Sequence, residues 1–431
     1  MTARTPSGVP LGTMAVLLAG VFTVSIGFGV VLPLLPYVIE RLLGSGGSAV
    51  QVSRSTGLLT GLYMLALFLF APMWGRVSDK FGRRPILLVG LVGFAATTLG
   101  FAFIDTLTAI YVERFLSGVF AAAVTPVALA TIGDLAVSED ERGRRLTIVS
   151  LAGIIGFLLG PMLGVFIGQG AASLLPVANV AGSLAYPLAG TALLSLLVAA
   201  AVAVAMRGMK RADPAPKREM KMDKPIRWLV ARLFAISAIV SAAVGVFEVG
   251  LALRGKQQLG LTQYEIAMMF TTCSLVMIVV QAAVFSPWVK PTATRWLIAP
   301  ALAILAVGLF LVPRASDFTL MLIAIGVVAA SAGILSPILT YWISSKAGHK
   351  QGAELGKQTA AASLGSAVGS AAGGLLFDIP LVPNASFLLV SGLVLIGVFI
   401  SINLPKLLIA KSPSPGMEND RVFAAVAKAQ S

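Results

Sequence analysis

The sequence is organised around a short charged segment between two long apolar runs. Residues 57–74 and 86–104 can each cross a hydrocarbon core of ~30 Å as a helix, because a helix rises 1.5 Å per residue. The segment between them, Gly75 to Pro85, reads GRVSDKFGRRP and is too short to form a domain. We therefore predict a tight hairpin against one membrane face, and its Lys and Arg side chains place that face in the cytoplasm.

The composition is that of a membrane protein. Of the 431 residues, 57% are hydrophobic and 12% are charged, and the mean hydropathy is +0.93. Soluble domains contain about 25% charged residues. The net charge is +14, and 26 of the 32 Lys and Arg residues fall at or near segments predicted to be cytoplasmic. The positive-inside rule therefore explains the charge without a nucleic-acid partner, and it predicts a multi-pass cell (inner) membrane protein with both termini in the cytoplasm.

The apolar runs predict an all-α membrane protein with about 12 transmembrane helices. The predicted helices lie near 14–39, 55–75, 85–104, 107–133, 146–169, 184–206, 229–252, 263–287, 295–313, 317–342, 357–377 and 383–404. We predict an N-terminal six-helix bundle (1–206), a basic cytoplasmic linker (207–227), a C-terminal six-helix bundle (228–404) and a cytoplasmic tail (405–431). The halves are weak repeats, since Gly369 and Gly373 follow Gly156 and Gly160 at the same offset of 213 residues.

The hairpin pattern G-x-x-x-D-x-x-G-R-R resembles the signature loop of the major facilitator superfamily, and the wider run 58–93 resembles its tetracycline and multidrug/proton antiporters. The resemblance implies two six-helix bundles that rock to expose a central cavity to each side in turn. It also implies that Asp134 pairs with Arg83 or Arg84 while Asp79 caps the eleventh helix, so that the halves are held shut on the cytoplasmic side. We call the residues of this interaction the cytoplasmic latch: Gly75, Asp79, Gly82, Arg83, Arg84 and Asp134.

A glycine ridge runs along the fifth predicted helix. Gly156, Gly160 and Gly164 are four residues apart, with Pro161 beside Gly160. Glycines at this spacing lie on one helix face and let another backbone approach closely. The run also resembles the fifth-helix motif that marks exporters rather than importers within the superfamily, so the resemblance implies export.

Three charged residues inside predicted spans are candidates for proton coupling. A charge inside a span costs roughly 2.5 kcal/mol or more and is usually paired or exposed to water. Arg114-Phe-Leu-Ser-Gly118 resembles the fourth-helix motif whose Arg is linked to proton transfer; the alternative is an Arg that reaches the interface or forms a structural pair. Its neighbour Glu113 points ~100° away on a helix, so the two need not face one cavity. Glu248 is either an interfacial carboxylate or a proton or cation site facing the cavity.

Other residues carry weaker indications. Gln281, Tyr341 and Trp342 are polar or aromatic candidates for the substrate route. One Cys and one His exclude a disulfide framework and a Cys/His metal cluster, and we expect no metal and no cofactor. The sequence contains no nucleotide-binding loop and no nucleophile–base motif, so we do not expect an enzyme.

These observations favour a secondary active transporter, a monomer whose partners are protons, a small-molecule substrate and the lipid bilayer. We expect proton-coupled export of a small amphipathic or cationic compound by alternating access. An importer or facilitator of a metabolite or siderophore is the first alternative. A non-transporting membrane scaffold or assembly factor is the second.

Overall fold

The computed structural model of the chain is helical throughout the part it describes. It describes residues 10–135, 139–174, 180–207, 224–284, 286, 289, 291–347, 351–379 and 382–408. The predicted basic linker (207–227) lies mainly outside the described residues, and so does most of the predicted tail (405–431).

Fifteen α-helices follow one another in the described ranges. They are α1 (Leu11–Val31), α2 (Leu35–Leu43), α3 (Ala49–Phe81), α4 (Arg83–Phe101), α5 (Leu107–Ala121), α6 (Thr125–Leu135), α7 (Glu139–Leu174), α8 (Val180–Ala205), α9 (Lys224–Leu253), α10 (Gln263–Val284), α11 (Ile298–Leu311), α12 (Phe318–Ala347), α13 (Gln351–Leu375), α14 (Ala385–Ser401) and α15 (Leu404–Leu407). Short 3₁₀ turns at Leu32–Leu34, Gly44–Gly46, Pro291–Leu297 and Val312–Arg314 and a π turn at Arg254–Gln258 supplement them.

The predicted fold class is confirmed. Ten segments of the described chain are long and apolar enough to cross a membrane. The helices α13 and α14 complete the predicted twelve: α13 has 25 residues but is rich in Gly, Ala and Ser, and α14 is apolar but only 17 residues long. α13 is less apolar because small residues pack it closely against other helices, whereas α14 falls short in length alone.

Proline interrupts two of the spans. The 3₁₀ turn Leu32–Leu34 contains Pro33 and separates α1 from α2. Residues 122–124 separate α5 from α6, and Pro126 follows directly. Proline has no N–H to donate and its ring clashes with the carbonyl four residues earlier, so the α-helical ladder breaks at both places. The single fourth helix predicted over 107–133 is therefore two helices in line.

Glycine ridges set the closest helix pairs, and they do so in both halves of the chain. A Cβ atom at Gly156 would lie 2.5 Å from the Phe22 carbonyl oxygen, and one at Gly160 would lie 2.7 Å from that of Ile26. These distances are too short for any side chain, so α7 can pack on α1 only because both positions are glycine.

The second half repeats this arrangement. On α13, Gly369 lies against Ala242 of α9 and Gly373 lies against Val246 of the same helix. The offset of 213 residues seen in the sequence thus corresponds to a repeated helix pair, with α13 on α9 as α7 is on α1.

The two halves are joined at one end of the molecule. We call residues 10–207 the N half and residues 224–408 the C half; the hairpin end holds the turn at Gly82, and the far end is opposite. Hydrogen bonds between described residues of the two halves lie at the far end: Tyr37 Oη to Leu261 O (2.9 Å), Lys256 Nζ to Pro36 O (3.0 Å), Gln257 Nε2 to Ala49 O (3.2 Å), Ser53 Oγ to Gln257 Oε1 (3.1 Å) and Ser53 to Asp378. Lys256 also forms an ion pair with Glu40.

The helices α3 of the N half and α13 of the C half pack tightly towards the far end. A Cβ atom at Gly57 of α3 would lie 2.6 Å from the Cα atom of Gly374 on α13. Near the hairpin end of the same helices, Cβ atoms at Gly75 and Gly356 would have nothing within 4 Å. The tight glycine packing of α3 on α13 is therefore found towards the far end.

Candidate functional site

A cavity of about 430 Å³ lies between the halves. Its walls come from α1, α3, α5, α6 and α7 of the N half and from α9, α10 and α12 of the C half. Most of the lining side chains are aliphatic or aromatic, and Ser25, Thr125, Ser150 and Ser274 add hydroxyl groups. A largely apolar cavity of this size with few polar groups is typical of small-molecule sites.

Glu248 is the acidic residue among the described side chains of this lining, which contains no Lys, Arg or His. It lies on α9 beside Phe247 and near Cys273 and Ser274 of α10, and it is half-buried. No hydrogen bond or ion pair joins Glu248 to another described residue. An ionised carboxylate without a cation nearby is costly in such surroundings, and a bound proton or a cationic ligand removes that cost. Of the two positions considered for Glu248, the structure shows the one facing the cavity.

Four aromatic rings form part of the cavity wall nearest the far end, to which Glu248 of α9 and Val328 of α12 also contribute. Phe28 stacks on Tyr63 with ring centroids 5.3 Å apart and on Phe157 at 5.7 Å. Phe157 in turn meets the edge of Phe270 from the C half at 6.4 Å. Along its own helix, each of these residues is the cavity-lining residue closest to the far end. We call these four residues the ring layer.

Glu113 and Arg114 bond to each other instead of facing the cavity. Arg114 Nε and Nη2 each donate to a Glu113 carboxylate oxygen at 2.6 Å. The two side chains are 6% and 4% exposed, and neither lines the cavity. The Arg114 guanidinium lies 4.8 Å from the Phe101 ring and 5.8 Å from the Tyr63 ring. This pair therefore reaches the cavity only through Tyr63.

The latch residues bind one another within the N half. Arg83 contacts Asp79 at 2.6 Å through Nη1 and Asp134 at 2.8 Å through Nε, and Arg84 Nη2 donates to the Ala203 carbonyl at 2.6 Å. The expected pairing of Asp134 with one of the two arginines is present. Gly82, with φ of +98°, makes the turn that only glycine adopts readily.

The residues before α13 lie outside the described chain, so the expectation that Asp79 caps the eleventh helix stays a prediction. Asp79 pairs with Arg83 four residues on, and its side chain is 64% exposed. Among the described residues, the ion pairs and hydrogen bonds of the latch thus lie inside the N half.

The glycine motif of the fifth predicted helix lies at a helix contact and away from the cavity. After Gly156 and Gly160, Pro161 lies 3.1 Å from the position of a Cβ atom on Gly29, and Gly164 lies against Val30 of the same helix. The motif therefore fixes α7 on α1. The direction of transport that it implies stays a prediction.

The three substrate-route candidates are absent from the cavity lining. Trp342 is 4% exposed, and its indole N–H donates to Thr294 Oγ1 at 3.1 Å inside the C half. Tyr341 packs its ring against Trp342 at 5.3 Å, and Gln281 lies one turn beyond Met277, the last lining residue of α10. Sequence reasoning chose them for polarity, whereas the lining consists of ordinary apolar residues that carried no signal.

Comparison with known proteins places the chain among transporters. The family model described as Major Facilitator Superfamily matches residues 17–356. Multidrug resistance protein 2 of Bacillus subtilis (strain 168) is 26% identical over 365 residues, which is 84% of this chain and 88% of that protein.

Two solved structures share the fold. The crystal structure of the human organic anion transporter MFSD10 (TETRAN) has a TM-score of 0.64 at 21% identity, over 91% of this chain and 100% of that one. A bacterial homologue of the human lysosomal transporter Spinster, in an inward-facing and occupied conformation, has a TM-score of 0.70 at 15% identity, over 93% and 98% of the two chains. At these identities the likeness extends to the fold alone.

Proposed function

This chain belongs to the Major Facilitator Superfamily, and on that basis we propose that it exports a small amphipathic or cationic compound in exchange for protons. The observation that carries the proposal is Glu248, whose carboxyl group pairs with no described residue and faces a largely apolar cavity between the two halves. The fold supplies the movement: rocking of the halves opens the cavity to each side of the membrane in turn.

The lining supports the substrate class. Its aliphatic and aromatic side chains favour an apolar ligand body, and a volume of about 430 Å³ suits a small organic molecule. Aromatic faces attract cations, and the Glu248 carboxylate provides the opposite charge. With no cation in the described lining, an anionic ligand would have no partner there.

Proton and substrate are exchanged because the same carboxyl group, that of Glu248, binds one or the other. When the cavity faces the hairpin end, which the positive-inside rule assigns to the cytoplasm, a cationic substrate displaces the proton from Glu248. When the cavity faces the far end, a proton from outside displaces the substrate. Because each ligand removes the cost of the bare carboxylate, the halves can rearrange with either one bound.

The direction rests on similarity. The chain resembles a multidrug resistance protein over most of both lengths, and its α7 glycine run resembles the exporter motif. Both favour export over import, and the cell membrane as the location.

The test uses the purified protein in liposomes with a trapped pH dye and a panel of dyes, antibiotics and metabolites. We compare wild type with Glu248→Gln and with the matched control Asp105→Asn, an exposed carboxylate in the turn before α5. Wild type and the control should move protons when substrate is added, and Glu248→Gln should not. Substrate flux without proton movement in wild type would support a facilitator, and no flux with any compound would support the scaffold alternative.

A further inference from the structure

We propose that the ring layer (Phe28, Tyr63, Phe157 and Phe270) is the seal that closes the cavity to the far end, and that Phe270 is the one member which must part from the others when that end opens. The inference rests on the proposed transport function for its biological meaning. The seal itself is a property of the closed far end and can be tested without any substrate.

The position of the layer makes it a barrier. Its four members are the last lining residues before the far end on α1, α3, α7 and α10. The first three helices belong to the N half, and α10 belongs to the C half. Tyr63 and Phe270 are 3% and 1% exposed, and Phe28 and Phe157 are half-buried at the cavity wall. Beyond them, contacts between the halves include hydrogen bonds from Tyr37 and Gln257.

The ring layer and the polar contacts at the far end differ in chemistry. Polar groups at the far end can exchange a protein partner for water, so they hold the halves together without excluding water. Apolar constrictions exclude water by dewetting and so close a pathway even where the atoms do not fill it. The rings are therefore the layer that excludes water. We call the polar contacts beyond them, made by Tyr37, Lys256 and Gln257, the clasp.

The layer is asymmetric, and the asymmetry shows where it opens. Phe28, Tyr63 and Phe157 belong to the N half and stack nearly parallel, with interplanar angles of 17° and 26°. The Arg114 guanidinium also lies over the Tyr63 ring, 5.8 Å from its centroid, within the N half. Phe270 alone comes from the C half and meets Phe157 edge-on at 87°. One edge contact thus joins the halves in this layer, and it is the contact that rocking must break.

The chain contains its own probe for this seal. Cys273 is the one cysteine of the sequence, and it lines the cavity one turn from Phe270 towards the hairpin end. A membrane-impermeant methanethiosulfonate can reach it from the hairpin end but must pass the ring layer from the far end. Intact cells expose one membrane face and inverted vesicles the other, so both rates can be measured on the full chain.

In wild type we expect faster labelling from the hairpin end. Phe270→Ala should raise the far-end rate by about tenfold or more, equivalent to ~1.4 kcal/mol, and leave the hairpin-end rate nearly unchanged. Phe157→Ala should act in the same direction, and Phe270→Leu should be intermediate because it keeps most of the volume. Phe399→Ala is the matched control, since this side chain is 71% exposed on the outside of α14.

Unchanged far-end rates in both alanine variants would overturn the proposal and make the polar clasp the seal. Equal labelling of wild type from both ends would also overturn it. If Phe270→Ala labels rapidly from both ends because it is poorly folded, Phe157→Ala and Phe270→Leu decide the matter. Since no substrate or proton gradient is used, a failure of proton exchange would reject the proposed function and leave this result standing.

Discussion

Arg114 and Glu113 are adjacent in the sequence, and their side chains form a two-point ion pair within a membrane-spanning helix, with both N–O distances at 2.6 Å. Two charges that would each be costly inside a membrane are thereby neutralised together. Two of the five Arg114 N–H donors bond to Glu113, and the guanidinium also lies over the Phe101 and Tyr63 rings. In this conformation the pair contacts the ring layer through Tyr63 and does not line the cavity.

Removing one member of this pair should cost more stability than removing both charges. Arg114→Ala leaves Glu113 buried without a partner, which costs roughly 3–5 kcal/mol for buried pairs. The double variant Glu113→Gln with Arg114→Gln leaves no bare charge and should recover a large part of that loss. Thermal unfolding in detergent measures both, with Arg314→Ala, an exposed arginine, as the control. A double variant as unstable as the single would contradict this account.

The ion pair between Lys256 and Glu40 should favour the closed far end. Lys256 also donates to the Pro36 carbonyl and lies 4.6 Å from the Tyr37 ring, so it is the centre of the clasp. Lys256→Glu places like charges together and should shift the population towards an open far end. The shift is modest, about 1 kcal/mol or less for the lost pair, because Glu40 is largely exposed.

Distances between spin labels at Asp105 and Ser316, both exposed at the far end, report the opening in a Cys273→Ser background. Lys256→Glu should broaden the distribution towards longer distances. Adding Glu40→Lys restores opposite charges and should restore the wild-type distribution. If the two single charge reversals leave the distribution unchanged, the pair does not contribute to closure.

The glycine contact between α7 and α1 should not tolerate a methyl group. A Cβ atom at Gly160 would lie 2.7 Å from the Ile26 carbonyl oxygen and 2.8 Å from the Gly29 Cα atom, so Gly160→Ala forces the helices apart. Overpacking of this kind costs about 1–3 kcal/mol, which should appear as a lower melting temperature. Gly356→Ala is the matched control, because a Cβ atom there meets nothing within 4 Å. Equal melting temperatures for the two variants would argue against a packing role for the motif.

The positions of the helices could be predicted from the sequence, because membrane spans are set by length and hydropathy, and these are local properties. The charged hairpin, the basic segments and the prolines divide the chain, and the twelve predicted helices match the structure. The repeat was detectable as well, because Gly156 and Gly369 perform the same packing task in the two halves. Glycine at a helix contact is a constraint that stays visible in the residue type.

The cavity was not predictable in the same way. Phe157 faces the cavity, whereas Phe399 is 71% exposed, and nothing in residue type distinguishes them. In a membrane helix nearly every face is apolar. Which face lines the cavity is therefore decided by packing against helices that lie hundreds of residues away in the sequence. Glu248 was visible because a carboxyl group in a span is rare. The expected contact of Asp79 with the eleventh helix stays a prediction, because the residues before that helix lie outside the described chain.

The central claim is that a proton and a cationic substrate exchange at Glu248. The most direct test measures protons released on binding of a substrate found in the liposome screen, by calorimetry in buffers of different ionisation enthalpy. Near the pH at which Glu248 is protonated, wild type and Asp105→Asn should each release up to about one proton per substrate bound, and Glu248→Gln should bind without release. Substrate binding that releases no proton at any pH, or the same release from Glu248→Gln, would contradict the account.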